Sequence, residues 1–278
     1  GLSKRWAVPL LTVLLPEVTA LFSYIMFHGM CPEDWCLAVV ASIKKKGEDL
    51  EDMDNFRGVH LLAFMRQWFA TCILFELEIL CARVLPIEQQ GFWKGGRIYA
   101  AFLALYAMIE KARAADERLF VAFVDIRKAF PTVRRDLLFE KLSALGAPDS
   151  LIRSLWALYL GTKGSVRGTA GFGELFDILL GTREGGVESP LLYVLFAADL
   201  IPFLQKTQLR GEPARLTGRP TLALQLADDL ALVARTAEDL QRLLDQWGRY
   251  CNLNHQETSI PKTEVAVYST EDDAGCHG

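Results

Sequence analysis

Residues 222–233 read Leu-Ala-Leu-Gln-Leu-Ala-Asp-Asp-Leu-Ala-Leu-Val and carry two adjacent carboxylates, Asp228 and Asp229, inside an apolar run. The length of the run, with Pro220 before it and Arg235 after it, predicts two short strands joined by a tight connection. A buried, unpaired carboxylate costs several kcal/mol, so these acids must be protonated, paired or bound to a cation. Adjacent side chains on a straight strand point to opposite faces, whereas at a hairpin turn both can approach one metal ion. Taken alone, the pair is equally compatible with a simple turn dipeptide.

A second acid stands in a similar setting, at the end of the apolar run 120–124. This run predicts a buried strand, and Asp125 follows it at a point where the strand fixes position and the end is open to solvent. One carboxylate from this strand and two from residues 222–233 could hold two Mg²⁺ ions roughly 4 Å apart, as in-line phosphoryl transfer requires. Oxygen ligands without nearby His or Cys favour Mg²⁺ over Zn²⁺. Spacing alone does not bring acids so distant in the chain together.

Short segments follow one another in the order of the motifs of one polymerase family, at residues 32–35, 43–47, 55–59, 90–95, 125–130, 181–192, 227–229 and 260–263. Residues 55–59, Asn-Phe-Arg-Gly-Val, are similar to its Asn-Tyr-Arg-Pro-Ile motif. Residues 181–192 are similar to its Gly-x-x-Gln-Gly-x-x-x-Ser-Pro-x-Leu segment, and residues 227–229 to its Tyr-Ala-Asp-Asp or Phe-Ala-Asp-Asp box. The chain therefore resembles the reverse transcriptase domain of non-LTR (LINE-type) retrotransposons and, more distantly, group II intron reverse transcriptases.

The resemblance implies an α+β fold made of the fingers and palm of a right-hand polymerase, with the palm a small antiparallel sheet backed by helices and the thumb absent. It assigns the fingers to residues 1–118, the palm to residues 119–270 and a disordered tail to residues 271–278. The implied activity is RNA-directed DNA polymerase, a two-metal, template-directed addition of dNTPs to a primer 3′-OH. The implied partners are an RNA template, a DNA primer and dNTPs, and the implied cofactors are two Mg²⁺ ions, with Mn²⁺ as a substitute.

The resemblance also implies roles for single residues. Asp125, Asp228 and Asp229 would be the catalytic carboxylates that hold the metal ions, and Lys262 would protonate the leaving pyrophosphate. Phe130 would lie beneath the sugar and exclude a 2′-OH. The full set implied to bind the nucleotide is Lys44, Lys46, Arg57, Ile126, Phe130, Glu184 and Gly185.

Several of these assignments have a simpler structural alternative. Lysines near residue 44 are typical of a solvated hairpin tip, Phe130 of ordinary core packing, and Lys262 of an exposed strand entry. The sequence also departs from the family pattern, because Glu184 stands where most relatives carry Gln and Pro131 where they carry Asp. A glutamate at that position brings negative charge towards a triphosphate.

Hydrophobic patterns predict the remaining helices and strands. By resemblance, the loop at residues 90–97 would lie along the template strand. A Thr236-Ala-Glu-Asp239 sequence is typical of a capping box at a helix start, and Pro202 is expected to end or kink a helix. The predicted strands are 37–43, 57–62 and 264–268, the predicted hairpin is 164–181, and the predicted helices are 63–84, 98–115, 133–145, 151–160 and 191–200.

Composition constrains the class of protein. The net charge is −4 and the pI about 5.7, whereas nucleic-acid binders usually carry a basic footprint. Six cysteines without a Cys-x-x-Cys pair indicate reduced thiols of an intracellular protein, with the nucleus as the expected location. Pro9, Pro16 and Glu17 interrupt the apolar start short of a membrane span, which favours helices packed on the fingers. The lack of an initial Met indicates a fragment.

Two other functions are compatible with the sequence. A decayed or domesticated relative could keep the fold and bind nucleic acid or protein, which the acidic pI, Glu184 and the absent thumb favour. The three intact aspartates oppose that alternative, because acids are costly in apolar strands. An unrelated Mg²⁺-dependent phosphotransferase would leave the ordered motifs as coincidence, and the chain has no Gly-x-x-x-x-Gly-Lys-Ser/Thr loop.

Overall fold

The computed structural model describes residues 4–44, 55–168 and 171–270. Lys46 and the predicted tail at residues 271–278 lie outside these ranges. The helices are α1 (Lys4–His28), α2 (Glu33–Cys36), α3 (Phe64–Val84), α4 (Ile98–Ala114), α5 (Ala129–Thr132), α6 (Arg135–Ala144), α7 (Asp149–Tyr159), α8 (Ser189–Phe196), α9 (Leu200–Leu204) and α10 (Ala237–Asn254). The strands are β1 (Leu37–Lys44), β2 (Phe56–Leu61), β3 (Leu119–Val124), β4 (Lys163–Gly168), β5 (Gly171–Phe172), β6 (Phe176–Asp177), β7 (Arg215–Leu216), β8 (Arg219–Pro220), β9 (Ala223–Leu226), β10 (Asp229–Ala234) and β11 (Glu264–Tyr268).

The chain divides into two compact units, and each is assembled from separate stretches of sequence. The first unit comprises Gly1–Glu76, Leu142–Leu179 and Glu184–Val187, and the second comprises Leu77–Lys141, Leu180–Arg183 and Glu188–Gly278. The division into fingers at residues 1–118 and palm at residues 119–270 stays a prediction, because compactness and polymerase subdomains are defined by different criteria.

The second unit is built on a four-stranded antiparallel sheet in the order β11-β3-β10-β9. Apolar side chains of β3 and β10 are buried because helices cover the sheet. Met108 and Ala112 of α4 pack with Val121 and Val233, and α10 lies against β3 and β10. The prediction of an α+β fold with a small antiparallel sheet backed by helices is confirmed.

The first unit contains a mixed sheet in the order β2-β1-β4-β5, with β6 also pairing β4. Strands β1 and β2 form an antiparallel hairpin, while β1 and β4 run parallel. Helix α1 packs on α7, and the buried Trp35 of α2 lies against Phe22 and Phe69. The hairpin predicted at residues 164–181 is present in β4, β5 and β6.

Residues 4–28, where the apolar start of the chain contains Pro9 and Pro16, form the single helix α1 of 25 residues. Two local expectations were wrong. The break predicted at Pro202 lies earlier, between Phe196 and Leu200, and Pro202 sits in the first turn of α9, where its missing N–H is not needed. Within the described residues, no helix is both long and apolar enough to span a membrane.

The second correction concerns the start of α10. The Thr236 Oγ1 atom accepts a hydrogen bond from Asp239 N at 3.1 Å, so the predicted cap is present. The Asp239 carboxylate does not complete a reciprocal capping box. It accepts instead from Arg210 N at 2.6 Å and Gly211 N at 2.9 Å. This buried acid therefore fastens the loop that precedes β7 to the start of α10.

Candidate active site

The acidic pair lies in a tight hairpin, as the sequence predicts. Asp229 pairs with Leu226 across β9 and β10, which leaves Ala227 and Asp228 as a two-residue loop. Ala227 adopts a φ of 60°, the sign that short hairpin loops require at their first position in one common turn type. The Asp228 side chain is half-buried and that of Asp229 is exposed, so both carboxylates lie at the open end of the sheet.

The pairing of β3 with β10 brings the third acid to the same end. Leu230 of β10 faces Val124 of β3, and continuing this antiparallel register by one residue puts Asp229 opposite Asp125. Facing residues of an antiparallel pair have Cβ atoms about 4.5–5.5 Å apart and share one face of the sheet. The fold therefore brings together two acids that lie far apart in the sequence.

Electrostatics agree with this placement. Burial raises the pKa of Asp229, the negative charge of Asp125 raises it further, and the positive charge of Lys262 opposes both. Lys262 Nζ lies 3.8 Å from Asp125 Oδ2, and its side chain is 70% exposed. Because the pair is solvated, the attraction between the two side chains is weak.

The donor set fits a hard divalent cation. In the parts of the chain that the structure describes, no three His, Cys, Asp or Glu side chains are arranged to hold a metal ion. The candidate donors are nevertheless carboxylate oxygens, which Mg²⁺ and Mn²⁺ prefer. A cation between Asp125 and Asp229 would relieve the repulsion that raises the pKa of Asp229. Asp125, Asp228 and Asp229 are therefore the residues that could hold it.

The segment that carries Asp125 is held by a second strand-like stretch. Ser259 N donates to Asp125 O at 2.7 Å, Arg127 N donates to Glu257 O at 2.8 Å, and Ile126 forms an isolated antiparallel bridge with Thr258. The Ile126 side chain is buried. Its implied contact with a nucleotide stays a prediction, and the side chain itself belongs to the core.

Phe130 lies in α5, where it is supported by other rings. Its ring stacks on Tyr193, with centroids 4.7 Å apart and an interplanar angle of 29°, and meets Phe92 edge-on at 6.2 Å. Burial raises the pKa of the Tyr193 phenol, and the charges of Asp228 and Asp125 raise it further. Phe130 therefore rests on a buried ring that lies near the acidic site, which is compatible with the predicted steric gate.

Two buried glutamines that the sequence interpretation missed contact this hairpin. The side chains of Gln89 and Gln225 both hydrogen-bond to the backbone of Ala227. A signal for Gln225 was available, because it is a polar residue in the middle of the apolar run 222–233. Gln89 directly precedes the motif at residues 90–95, but only the fold brings its side chain to the turn.

In the first unit, the structure describes Lys44 and Arg57 on the hairpin formed by β1 and β2. Ile43 faces Arg57 and Lys44 faces Phe56. Because facing residues share a face and neighbours alternate, Lys44 and Arg57 project from opposite faces of the hairpin. Both side chains are exposed. The predicted contact with a triphosphate is the same for both residues, but this register puts them on different faces of the hairpin.

The backbones of Glu184 and Gly185 contact strand β2 and helix α3. His60 N donates to Glu184 O at 2.6 Å, and Gln67 Nε2 donates to Gly185 O at 2.6 Å. Gly185 has a φ of 109°, and a Cβ at this position would lie 2.4 Å from His60 O. Glycine is therefore required here for both conformation and space.

Comparisons with known proteins agree with this architecture. A model of the family described as reverse transcriptase (RNA-dependent DNA polymerase) matches residues 43–272. A retrovirus-related Pol polyprotein from the type-1 retrotransposable element R2 of Nasonia vitripennis is 26% identical over 82% of this chain. A probable RNA-directed DNA polymerase from transposon BS of Drosophila melanogaster is 26% identical over 92% of it. The chain spans only 22% and 28% of the lengths of these two relatives.

Solved structures show the same fold. Apo telomerase from Candida tropicalis, truncated from its C-terminal domain, is 12% identical, with a TM-score of 0.63 over 88% of this chain and 54% of that one. Telomerase from Candida albicans, in complex with a TWJ fragment of telomeric RNA, is 12% identical, with a TM-score of 0.60 over 88% of this chain and 45% of that one. The resemblance to retrotransposon polymerases and the fingers and palm fold are thereby confirmed. The chain belongs to the reverse transcriptase (RNA-dependent DNA polymerase) family.

Proposed function

We propose that this chain catalyses the RNA-directed addition of deoxynucleotides to a primer 3′-OH. The observation that carries the proposal is the strand register that puts Asp125 and Asp229 opposite each other at one end of an antiparallel sheet. Asp125 follows β3, Asp229 faces it from β10, and Asp228 stands beside it in the turn. Acids in this setting are costly unless they bind a cation, and two cations held by carboxylates are the usual means of in-line phosphoryl transfer.

Asp125, Asp228 and Asp229 would hold two Mg²⁺ ions, or Mn²⁺ in their place. Bound there, the ions supply a lowered pKa for the primer hydroxyl and charge stabilisation for the leaving pyrophosphate. The pairing of β3 with β10 holds the backbone next to these carboxylates, which would fix where the ions bind. Lys262 lies beside Asp125, and its exposed ammonium group would deliver a proton to the departing pyrophosphate.

The remaining predicted residues would select and hold the dNTP. Phe130, supported by the buried Tyr193 ring, would exclude a ribose 2′-OH. The β1–β2 hairpin would contact the triphosphate through Lys44, Lys46 or Arg57. Gly185, together with Glu184 and Ile126, would contribute close backbone approach to the nucleotide.

The partners in this proposal are an RNA template and a DNA primer. The names of the relatives, RNA-directed DNA polymerase and retrotransposon polyprotein, support both. The telomerase solved with an RNA fragment supports an RNA ligand for this fold. Action on a primer in chromosomal DNA would make the nucleus its site of action.

Primer extension tests the proposal. The chain is incubated with a primed RNA template, dNTPs and Mg²⁺, beside the double variant Asp228→Asn/Asp229→Asn. We expect extension that requires RNA template and divalent metal and that is lost in the double variant. Circular dichroism and thermal melting of that variant establish that it is folded. Extension that persists without these two carboxylates would refute the assignment of the metal site. A folded wild-type chain that extends no primer with either metal would refute catalysis by this chain.

A further inference from the structure

The backbone of Ala227 adopts a conformation that its own side chain disfavours. Its φ of 60° is left-handed, and hairpin loops of this kind usually carry glycine at that position. A group outside the turn must therefore stabilise it. The chain approaches the turn closely at Gly91, where a Cβ would lie 2.3 Å from Ala227 N. The loop that contains Gly91 is thus packed directly on the turn before Asp228.

The group that contacts the turn from this loop is the side chain of Gln89, which is fully buried. Its Oε1 atom accepts a hydrogen bond from Ala227 N at 3.0 Å and another from Gly91 N at 2.7 Å. Its Nε2 atom lies 3.5 Å from Ala227 O, to which Gln225 Nε2 donates at 2.9 Å. Both polar backbone groups of Ala227 are therefore bonded by side-chain amides.

Gln89 is itself held on both sides. Gln90 N donates to Gln225 O at 2.8 Å, and Gln225 N donates to Glu88 O at 2.9 Å. These two bonds pair the segment with β9 in parallel at the edge of the sheet. Trp93 Nε1 donates to Gln89 O at 3.0 Å. The amide that reaches the turn is therefore attached to the rigid sheet and not to a free loop.

We propose that Gln89 is a positioning residue for the catalytic hairpin. By bonding Ala227 it fixes the left-handed turn and thereby the direction in which Asp228 and Asp229 leave the sheet towards Asp125. Its side chain bonds the backbones of Ala227 and Gly91, so the proposed action on the acids runs through the turn. The inference rests on the proposed function insofar as it treats these acids as the metal site. The geometric part, that Gln89 fixes Ala227, is independent of catalysis.

Amide hydrogen exchange tests the geometric part in the metal-free chain of 278 residues. Selective ¹⁵N-alanine labelling gives a signal for the Ala227 N–H, which the Ala227→Gly variant identifies by its disappearance. In Gln89→Ala we expect this N–H to exchange about tenfold faster, because its acceptor is lost. The matched control is Gln90→Ala, since the Gln90 side chain bonds Ile87 O and Arg97 N within the loop.

The outcomes separate a specific contact from general loosening. Acceleration at Ala227 in Gln89→Ala, with no acceleration in Gln90→Ala, supports the proposal. Unchanged exchange in Gln89→Ala, or equal acceleration in both variants, overturns it. If Gln89→Ala does not fold, Gln89→Glu takes its place. This variant keeps the shape and the acceptor of Gln89 and removes the donor to Ala227 O. The Ala227 N–H should therefore stay protected from exchange. Loss of protection at this N–H in Gln89→Glu would contradict the proposed bond.

Kinetics test whether the contact positions the acids. We expect Gln89→Ala to lower kcat about tenfold or more with little change in the KM for dNTP, and to require more Mg²⁺ for half-maximal rate. Glycine adopts a left-handed φ without strain, so adding Ala227→Gly should restore much of kcat without restoring the melting temperature. If Gln89 had a merely structural role, no such rescue of kcat would be expected. Absence of the rescue would therefore overturn the positioning role of Gln89.

Failure of the two proposals can be told apart. If the exchange results are as expected but the wild-type chain extends no primer, the proposed function is refuted and the Gln89 contact stands. An active chain in which Gln89→Ala keeps the wild-type kcat and Mg²⁺ requirement would refute positioning and leave the proposed function standing.

Discussion

Replacing Asp125 with asparagine removes one negative charge from the open end of the sheet while preserving the size of the side chain. The register of β3 and β10 puts Asp125 opposite Asp229, and burial together with the charge of Asp125 raises the pKa of Asp229. Without that charge the ionised form of Asp229 is less opposed. We therefore expect the pKa of Asp229 to fall in Asp125→Asn.

The size of the effect follows from the geometry of the pair. Charges about 5 Å apart, the separation of facing residues, repel by about 0.8 kcal/mol in water and by about 3 kcal/mol at an effective dielectric constant of 20. The Asp229 side chain is exposed, so solvent screening places the interaction near the lower figure, about 1 kcal/mol.

A ¹³C-NMR titration of the Asp229 carboxyl group in the metal-free chain measures this directly. Lys262→Met supplies a control of opposite sign, because the Lys262 charge lowers the pKa of Asp229 and its loss should raise it. Lys262→Arg keeps the charge and should leave the titration close to that of wild type. If Asp125→Asn leaves the pKa of Asp229 unmoved, the two carboxylates are not neighbours and the metal site is wrongly built.

Three further predictions concern selection of the nucleotide and stability. Phe130→Val should lower the preference for dNTP over rNTP, measured as the ratio of kcat/KM values, at least about tenfold, and an unchanged ratio would exclude a steric gate. Lys44 and Arg57 project from opposite faces of their hairpin. Only one of the variants Lys44→Ala and Arg57→Ala should therefore raise the KM for dNTP, by roughly tenfold. Equal effects of the two variants on KM would contradict the register. Asp239→Asn should lower the free energy of unfolding by about 2 kcal/mol in urea titrations. Burial opposes but does not cancel the effect of two backbone N–H donors, which hold the pKa of Asp239 below its ordinary value. Its stabilisation in wild type is therefore present above the unfolded pKa and lost as pH falls through the folded pKa, so a wild-type advantage that persists unchanged in acid would contradict it.

Much of the fold could be predicted because the signals are local. The apolar run 222–233 interrupted by two acids predicted a hairpin, and the run 120–124 predicted the strand that carries Asp125. Both are present as β9–β10 and β3. Periodicity and terminal residues also located α3 and α4 to within a residue or two, because a long helix is determined by contacts three and four residues apart.

The parts that could not be predicted depend on contacts between distant segments. The register that sets Asp229 opposite Asp125 is a property of two strands paired across the whole middle of the chain. The opposite faces of Lys44 and Arg57 follow from a pairing that no single-residue pattern encodes. Gln89 reaches Ala227 only because the loop runs parallel to β9, and a buried glutamine in a loop has no periodic signature.

The position of β3 within its sheet has a consequence for synthesis of the chain. β3 ends at residue 124, yet both of its neighbours, β10 from residue 229 and β11 from residue 264, follow more than a hundred residues later. While it emerges from the ribosome, this apolar strand has two unpaired edges, a state that favours association with other chains and that chaperones cover. Asp125 is likewise translated more than a hundred residues before Asp229, so the two acids can face each other only once β10 has been made.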